Sequence, residues 1–143
     1  MESRRVISVS RVITAPASQI FDLLADPAQH ARLDGSGTVT RLRKGPRRLS
    51  RGARFAMDMK LGVRYFTSNK VVVFDEDHAI AWRHTARFIW RYDLETLDGS
   101  TRVTESFDYD RPWGFVLDRS GFPERNRAAM TATLERIERI VTS

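Results

Sequence analysis

Between Phe55 and Tyr109, apolar and polar residues alternate with period two in run after run, and the breaks between runs are short. Phe88, Trp90, Tyr92 and Leu94 alternate with Arg87, Arg91 and Asp93; Val103, Glu105, Phe107 and Tyr109 alternate with Arg102, Thr104, Ser106 and Asp108. Such alternation marks half-buried strands, and Asp98-Gly99 between these two runs is a hairpin turn signal. Upstream, Ile80, Trp82 and His84 form one short run, and Phe55, Met57, Met59 and Leu61 alternate with Ala56, Asp58 and Lys60. Val39–Arg43 and Val63–Phe74 read as further strands, with Gly45-Pro46, Ser50-Arg51-Gly52, Gly62 and Asp75-Glu76-Asp77 as the breaks. Breaks this short cannot hold crossover connections, so the strands must be antiparallel neighbours. Every other segment has to fit that meander.

Val6, Ser8, Ser10 and Val12 alternate with Ile7, Val9, Arg11 and Ile13, a β-branched run expected to be a strand with both faces partly covered. Thr14-Ala15-Pro16 opens a short helix whose buried side is Ile20, Phe21, Leu23 and Leu24. Asp26-Pro27 then starts a second one through Ala28, Ala31 and Leu33, ending at Asp34-Gly35-Ser36-Gly37. Both are too short to persist alone and must be held by a sheet. From Pro123 onward, Met130, Leu134, Ile137 and Val141 follow helical spacing and give one long amphipathic helix. Ala128, Ala129 and Ala132 flank its stripe and are expected to set the gap between helix and sheet. The fold expected is α+β: a curved antiparallel sheet of about six to seven strands with two short helices after the first and a long C-terminal helix across it. Residues 1–143 are expected to form a single domain.

Composition removes several function classes. The chain of 143 residues has no cysteine, which excludes disulfides, thiolate metal sites and cysteine nucleophiles. His30, His78 and His84 lack ligand spacing, so no metal site is expected. There is no phosphate-cradling glycine loop and no Gly-x-Ser-x-Gly elbow, so nucleotide hydrolysis and serine hydrolase chemistry are poorly supported, and no cofactor is expected. The opening Met1-Glu2-Ser3-Arg4-Arg5 leads into no signal-peptide core, and no run approaches the ~20 apolar residues of a membrane span, so the expectation is a cytoplasmic protein. The net charge is +6, and it is local. Residues 35–57 contain no Asp or Glu but include Arg41, Arg43, Lys44, Arg47, Arg48, Arg51 and Arg54. That stretch would take an anionic surface or nucleic acid as partner. It lacks the interleaved exposed aromatics of a single-strand platform, so a solvated hairpin is the stronger expectation.

The motifs Val12-Ile13-Thr14-Ala15-Pro16-Ala17, Ile20-Phe21-Asp22-Leu23-Leu24, Asp26-Pro27, Ala81-Trp82-Arg83 and Asp98-Gly99-Ser100-Thr101-Arg102-Val103-Thr104-Glu105 carry a resemblance that covers nearly the whole chain. The chain resembles the START/Bet v1-like (SRPBCC) superfamily with its helix-grip fold, and within it the polyketide cyclase/dehydrase and lipid-transport-like group. The motifs mark architecture and include no catalytic signature. The resemblance implies a cavity between the sheet and the C-terminal helix that binds, transports or senses a small hydrophobic, aromatic or lipid-like molecule. It leaves monomer and homodimer equally open.

On the side expected to face that cavity lie Met57, Met59 and Tyr65, then Trp82, Phe88, Trp90 and Tyr92, then Phe107, Tyr109, Trp113, Phe115 and Met130. Buried Trp and Tyr need partners for their polar tips, which suggests a partly wet or ligand-filled space. Glu105 falls on the apolar side of its run, where burial raises a carboxyl pKa or a cation must pair with it. With His84 or Tyr92 it is a candidate for acid–base work of the cyclase or dehydratase type. Its structural alternative is a pair with Arg83, His84, Arg87 or Arg91.

Overall fold

Pairing of neighbours in sequence gives the sheet its order. The computed structural model describes residues 5–118 and 120–143; residues 1–4, on which the expectation of no signal peptide partly rests, and residue 119 lie outside the described residues. Strand β1 (Val6–Ile13) is followed by helix α1 (Ala17–Leu24), a 3-10 turn at Pro27–Gln29 and helix α2 (His30–Leu33). Then come β2 (Val39–Lys44), β3 (Arg54–Leu61), β4 (Val63–Asp75), β5 (Ala79–His84), β6 (Ile89–Leu97) and β7 (Ser100–Asp108). A 3-10 turn at Gly114–Leu117 leads into α3 (Phe122–Thr142). All seven strands form one antiparallel sheet in the order β1-β7-β6-β5-β4-β3-β2. The expected α+β helix-grip fold is the observed one. The tight β6–β7 turn turns on Gly99, whose φ of 76° lies in the left-handed region that glycine adopts without a Cβ penalty.

The period-two runs sort onto two faces. Inward, Val71 pairs with Trp82, Trp82 with Trp90, and Trp90 with Phe107, so large apolar groups stand in rows across β4 to β7. Outward, Ser8 bonds Ser106 at 3.0 Å and Ser10 bonds Thr104 at 2.8 Å. Strand β1 is therefore covered on one face only; Val12 is 48% exposed, where cover on both sides was expected. The β-branched run reflects strand propensity as well as burial, and the two cannot be separated by composition.

The helices close the inner face. Asp26 caps its turn by accepting from the Ala28 N–H at 3.1 Å, as the Asp-Pro signal implies. Helix α3 buries Asn126, Met130, Thr133, Leu134 and Ile137 over the sheet, with Val141 half-buried against the same core. Arg11 on β1 ties to Glu138 at 2.7 Å, and Arg136 donates to the Asp34 carbonyl at 2.7 Å. Among the described residues no helix is long and apolar enough to cross a membrane.

The small residues of α3 have a different partner from the one expected. Ala128 faces solvent. Ala129, Ala132 and Thr133 receive the loop after α2, where Gly35 lies so close that a Cβ there would meet the Ala129 carbonyl and stand 2.6 Å from the Ala132 methyl. The Gly35 N–H also donates to Thr133 Oγ1 at 2.9 Å. Small size here admits a loop, and the helix–sheet gap is set by Met130, Leu134 and Ile137. Gly35→Ala is expected to cost about 2 kcal/mol or more and lower the melting midpoint by roughly 5–10 °C, checked by thermal denaturation.

Candidate functional site

Trp82 stands at the centre of the inner face. Its ring stacks on His30 with centroids 4.9 Å apart and planes at 24°, meets Phe55 edge-on at 5.6 Å, and lies 5.8 Å from Tyr92. These groups come from β5, α2, β3 and β6, and with α1 and the end of α3 they form the larger apolar cluster. A smaller one gathers Phe107, Tyr109, Ile7 and Met130, with Trp90 4.4 Å and Phe88 5.6 Å from Phe107.

A polar rung separates the two. On β6 and β7, Trp90 pairs with Phe107, Tyr92 with Glu105, and Leu94 with Val103. Glu105 is 3% exposed, and its Oε1 is buried without a hydrogen-bond partner. Burial pushes its carboxyl up to about 8; the facing Tyr92 hydroxyl offsets part of that rise, and the Asp34 charge adds to it. Glu105 is therefore largely uncharged at neutral pH. Tyr92 is held well above its ordinary range, chiefly by burial. A buried acceptor with no donor costs about 1–3 kcal/mol, so the fold carries this rung at a loss unless something else meets it. A second orphan is on α3, where Asn126 Nδ2 is buried without a partner.

His30 is the site residue that strand patterns miss. It is 9% exposed, its Nε2–H donates to the Leu24 carbonyl at 2.8 Å, and burial pushes its pKa down, so the stacked ring is neutral. One signal was available: His30 and Leu33 stand three apart on a short helix and share its buried side. Asn69, buried on β4 with Nδ2 3.5 Å from the Phe55 carbonyl, carried none.

The expected cavity residues divide. Met57, Trp82, Tyr92, Phe107, Tyr109 and Met130 are buried on the inner side, and Met59, Phe88 and Trp90 are half-buried against the same clusters. Tyr65 and Trp113 are each 41% exposed, and Phe115 also faces solvent. Tyr65 lies on the part of β4 that pairs only with β3, beyond the end of β5, so no inner layer reaches it. Trp113 and Phe115 follow β7 in an irregular segment where alternation has no meaning. In this structure the inner rings stand in contact with one another, and two open grooves, of about 710 and 600 Å³, are lined largely from the outer face.

His84 and Glu105 are not brought together. Ile80, not His84, lies on the rung of Tyr92 and Glu105, which leaves His84 four residues, roughly 13 Å, further along β5. His84 Nδ1 accepts from the Ala86 N–H at 3.2 Å, a turn-anchoring role. Nor does Glu105 pair with Arg83, Arg87 or Arg91; Arg91 turns outward to Asp93 at 2.8 Å. The basic stretch is divided as well. Arg41 and Arg43 share Asp58, and Arg48 holds Asp22 and Glu76, while Lys44 and Arg54 line the larger outer groove. Among the described residues no three His, Asp or Glu side chains converge as a metal ion requires.

Glu105 and His30 leave opposite marks on stability. Unfolded, Glu105 ionises near 4.5; folded, near 8, so across that window only the folded state keeps the proton and stability falls as pH rises. His30 has a lowered pKa, so its contribution is lost as pH drops below 6.5. Between these two groups, only Glu105 acts from pH 6.5 to 8. Wild type is expected to lose stability there, by about 1 kcal/mol per pH unit at most, and Glu105→Gln to flatten the decline in urea denaturation. An unchanged slope in the variant would show the carboxyl to be ionised throughout.

Comparison with known proteins places this geometry. Residues 4–142 match the family model described as polyketide cyclase / dehydrase and lipid transport. The chain is 36% identical over 138 residues to the uncharacterized protein Rv0088 of Mycobacterium tuberculosis (strain ATCC 25618 / H37Rv), covering 92% of this chain and 62% of that protein. It thus spans about three-fifths of the length of that relative. Among solved structures, protein CV1439 from Chromobacterium violaceum superposes with a TM-score of 0.78 at 16% identity, over 97% of this chain and 99% of that one. The polyketide-cyclase-like protein Cgl2372 from Corynebacterium glutamicum does so with 0.63 at 24% identity, over 99% and 94%. Both likenesses show the fold. With a family model spanning nearly every residue and the sheet, short helices and long closing helix all in place, the chain belongs to the polyketide cyclase / dehydrase and lipid-transport family.

Proposed function

We propose that this protein binds a small apolar or aromatic molecule with one polar end between the sheet and α3. The observation that carries the reading is Glu105 Oε1, buried and unpartnered beside Tyr92 between two aromatic clusters. A protonated carboxyl offers one donor and one acceptor, which suits a ligand carbonyl or hydroxyl. Trp82, His30 and Phe55 supply flat surfaces for an apolar body, and Met130 on α3 is a side chain that adjusts readily to shape. The inner rings already touch, with centroids 4.4 to 5.8 Å apart, so entry of a ligand between them requires them to move apart. Membership of the family supports a hydrophobic ligand of this kind.

One feature favours a second reading, in which the bound molecule is also cyclised or dehydrated. A carboxyl with a pKa of about 8 can give and take a proton at neutral pH. Glu105 would then be the acid–base group with Tyr92 beside it, and His84 would take no part.

The neutral probe N-phenyl-1-naphthylamine separates these outcomes without a known ligand. Wild type is expected to bind it with a rise in fluorescence and shifts in the amide signals of β6, β7 and α3. A competing aromatic ketone should displace it, with about tenfold weaker competition in Glu105→Met or Tyr92→Phe, the scale of one lost hydrogen bond to a polar ligand group. No probe binding at its solubility limit, or amide shifts confined to the outer face, would sink the reading. Loss of water from a poly-β-keto thioester by wild type but not by Glu105→Gln, seen by mass spectrometry, would establish turnover.

A further inference from the structure

The outer face of the sheet carries a row of cations set directly against one another. The cross-strand register places Arg54 opposite Lys70 and Lys70 opposite Arg83, on β3, β4 and β5. One rung along, Lys44 lies opposite Ala56 and Ala56 opposite Ser68, so a fourth cation joins this face across two small residues. Paired side chains across antiparallel strands begin only ~5 Å apart, and like charges in that position destabilise a sheet. Several other outer arginines have carboxylates, as with Arg41 and Arg43 on Asp58, and Arg102 on Glu95. Among the described residues, Lys44, Arg54, Lys70 and Arg83 have no such partner.

These side chains line a concavity. With Gly45, Pro46 and Arg87 they border the groove of about 710 Å³, and no Asp or Glu is among its described lining residues. That volume falls within the range of small-molecule sites, ~300–1,000 Å³. Arg87 is held in place by its backbone. Its φ is 66°, unusual for a residue with a side chain; its N–H donates to the His84 carbonyl at 2.7 Å and its carbonyl accepts from Arg111 Nε at 2.9 Å. Backbone strain secured this way is typical of ligand clamps. The groove of about 600 Å³ shares Arg83 and Arg87 and continues over Ile89, Pro112 and Trp113. A cation-lined end therefore runs into an apolar end with an exposed indole.

We propose that this outer groove binds a soluble phosphorylated small molecule with a flat apolar body, its phosphoryl oxygens on Arg54, Lys70 and Arg83 and its body over Trp113. Phosphoryl oxygens accept several charge-assisted hydrogen bonds at once, which turns the mutual repulsion of the row into attraction for one ligand. The concave, molecule-sized shape favours such a ligand over a membrane or a nucleic acid strand. The cations stand on the face of the sheet opposite to the space beneath α3, and Phe55, Asn69 and His84 of the inner register also border the groove.

Two probes test the assignment at low salt by calorimetry and amide shifts: inorganic tripolyphosphate for the anionic end, and adenosine triphosphate for both ends. Both are expected to bind with affinities that fall as salt is added, and the nucleotide alone should quench Trp113, read as quenching lost in Trp113→Phe. Lys70→Gln and Arg83→Gln should each weaken tripolyphosphate about tenfold, the scale of one charge-assisted contact, while Arg41→Gln leaves it unchanged. A further result separates a binding site from an incidental patch: Lys70→Gln should melt higher than wild type without anion, and that order should reverse with tripolyphosphate present. Equal affinity in the Arg83→Gln and Arg41→Gln proteins, or no binding of either probe, would overturn the proposal. So would tight binding of phosphatidylserine vesicles or a single-stranded oligonucleotide by a protein that ignores both probes.

Discussion

The antiparallel register of β3 through β7 sets both faces of this protein at once. Side chains alternate with period two, so the register that puts Tyr92 opposite Glu105 inside also puts Arg54, Lys70 and Arg83 in a row outside. A slip of one residue would bury the cations and expose Trp82 and Phe107. The inner rows hold the register, since large rings on β5, β6 and β7 gain only when they face α3 and the short helices. The short turns assist by leaving no slack for another alignment.

The closing layer depends on three connections of different chemistry. Apolar contact of Met130, Leu134 and Ile137 with the sheet is non-directional and sets distance. The Arg11–Glu138 pair and the Arg136 bond to the Asp34 carbonyl set the helix's position along the sheet. The close approach of Gly35 to Ala129 and Ala132 sets where the loop before β2 crosses α3. That loop also brings Asp34 near enough for its charge to raise the Glu105 carboxyl. Packing of the closing layer thus reaches the protonation of the polar rung.

Much of this was legible in the residues. Strand alternation, the Asp98-Gly99 turn, the Asp26-Pro27 cap and the stripe on α3 each have a local physical cause, and each element stands where its pattern put it. Glu105 was legible for the same reason, as the one carboxylate in an apolar phase. Tyr65, Trp113 and Phe115 were misplaced because alternation says which side a residue takes but not whether a neighbouring layer extends over it. His30 and Asn69 were passed over because a polar residue among apolar ones becomes a site residue only through its partners on other elements. The pairing within the basic stretch was hidden for a related reason: Asp22, Asp58 and Glu76, which neutralise part of it, come from outside residues 35–57.

Local sequence, then, determined the class of fold, the strand faces, the long helix and the buried carboxyl, since these follow from periodicity and from turn and cap chemistry within a few residues. Tertiary structure decided what only distant segments can decide. It chose the ring that stacks on Trp82, separated His84 from Glu105, gave Gly35 to the small face of α3, and sorted paired arginines from the unpaired row on the outer face. Those outcomes rest on contacts between residues tens of positions apart, and no local pattern encodes which partners will meet.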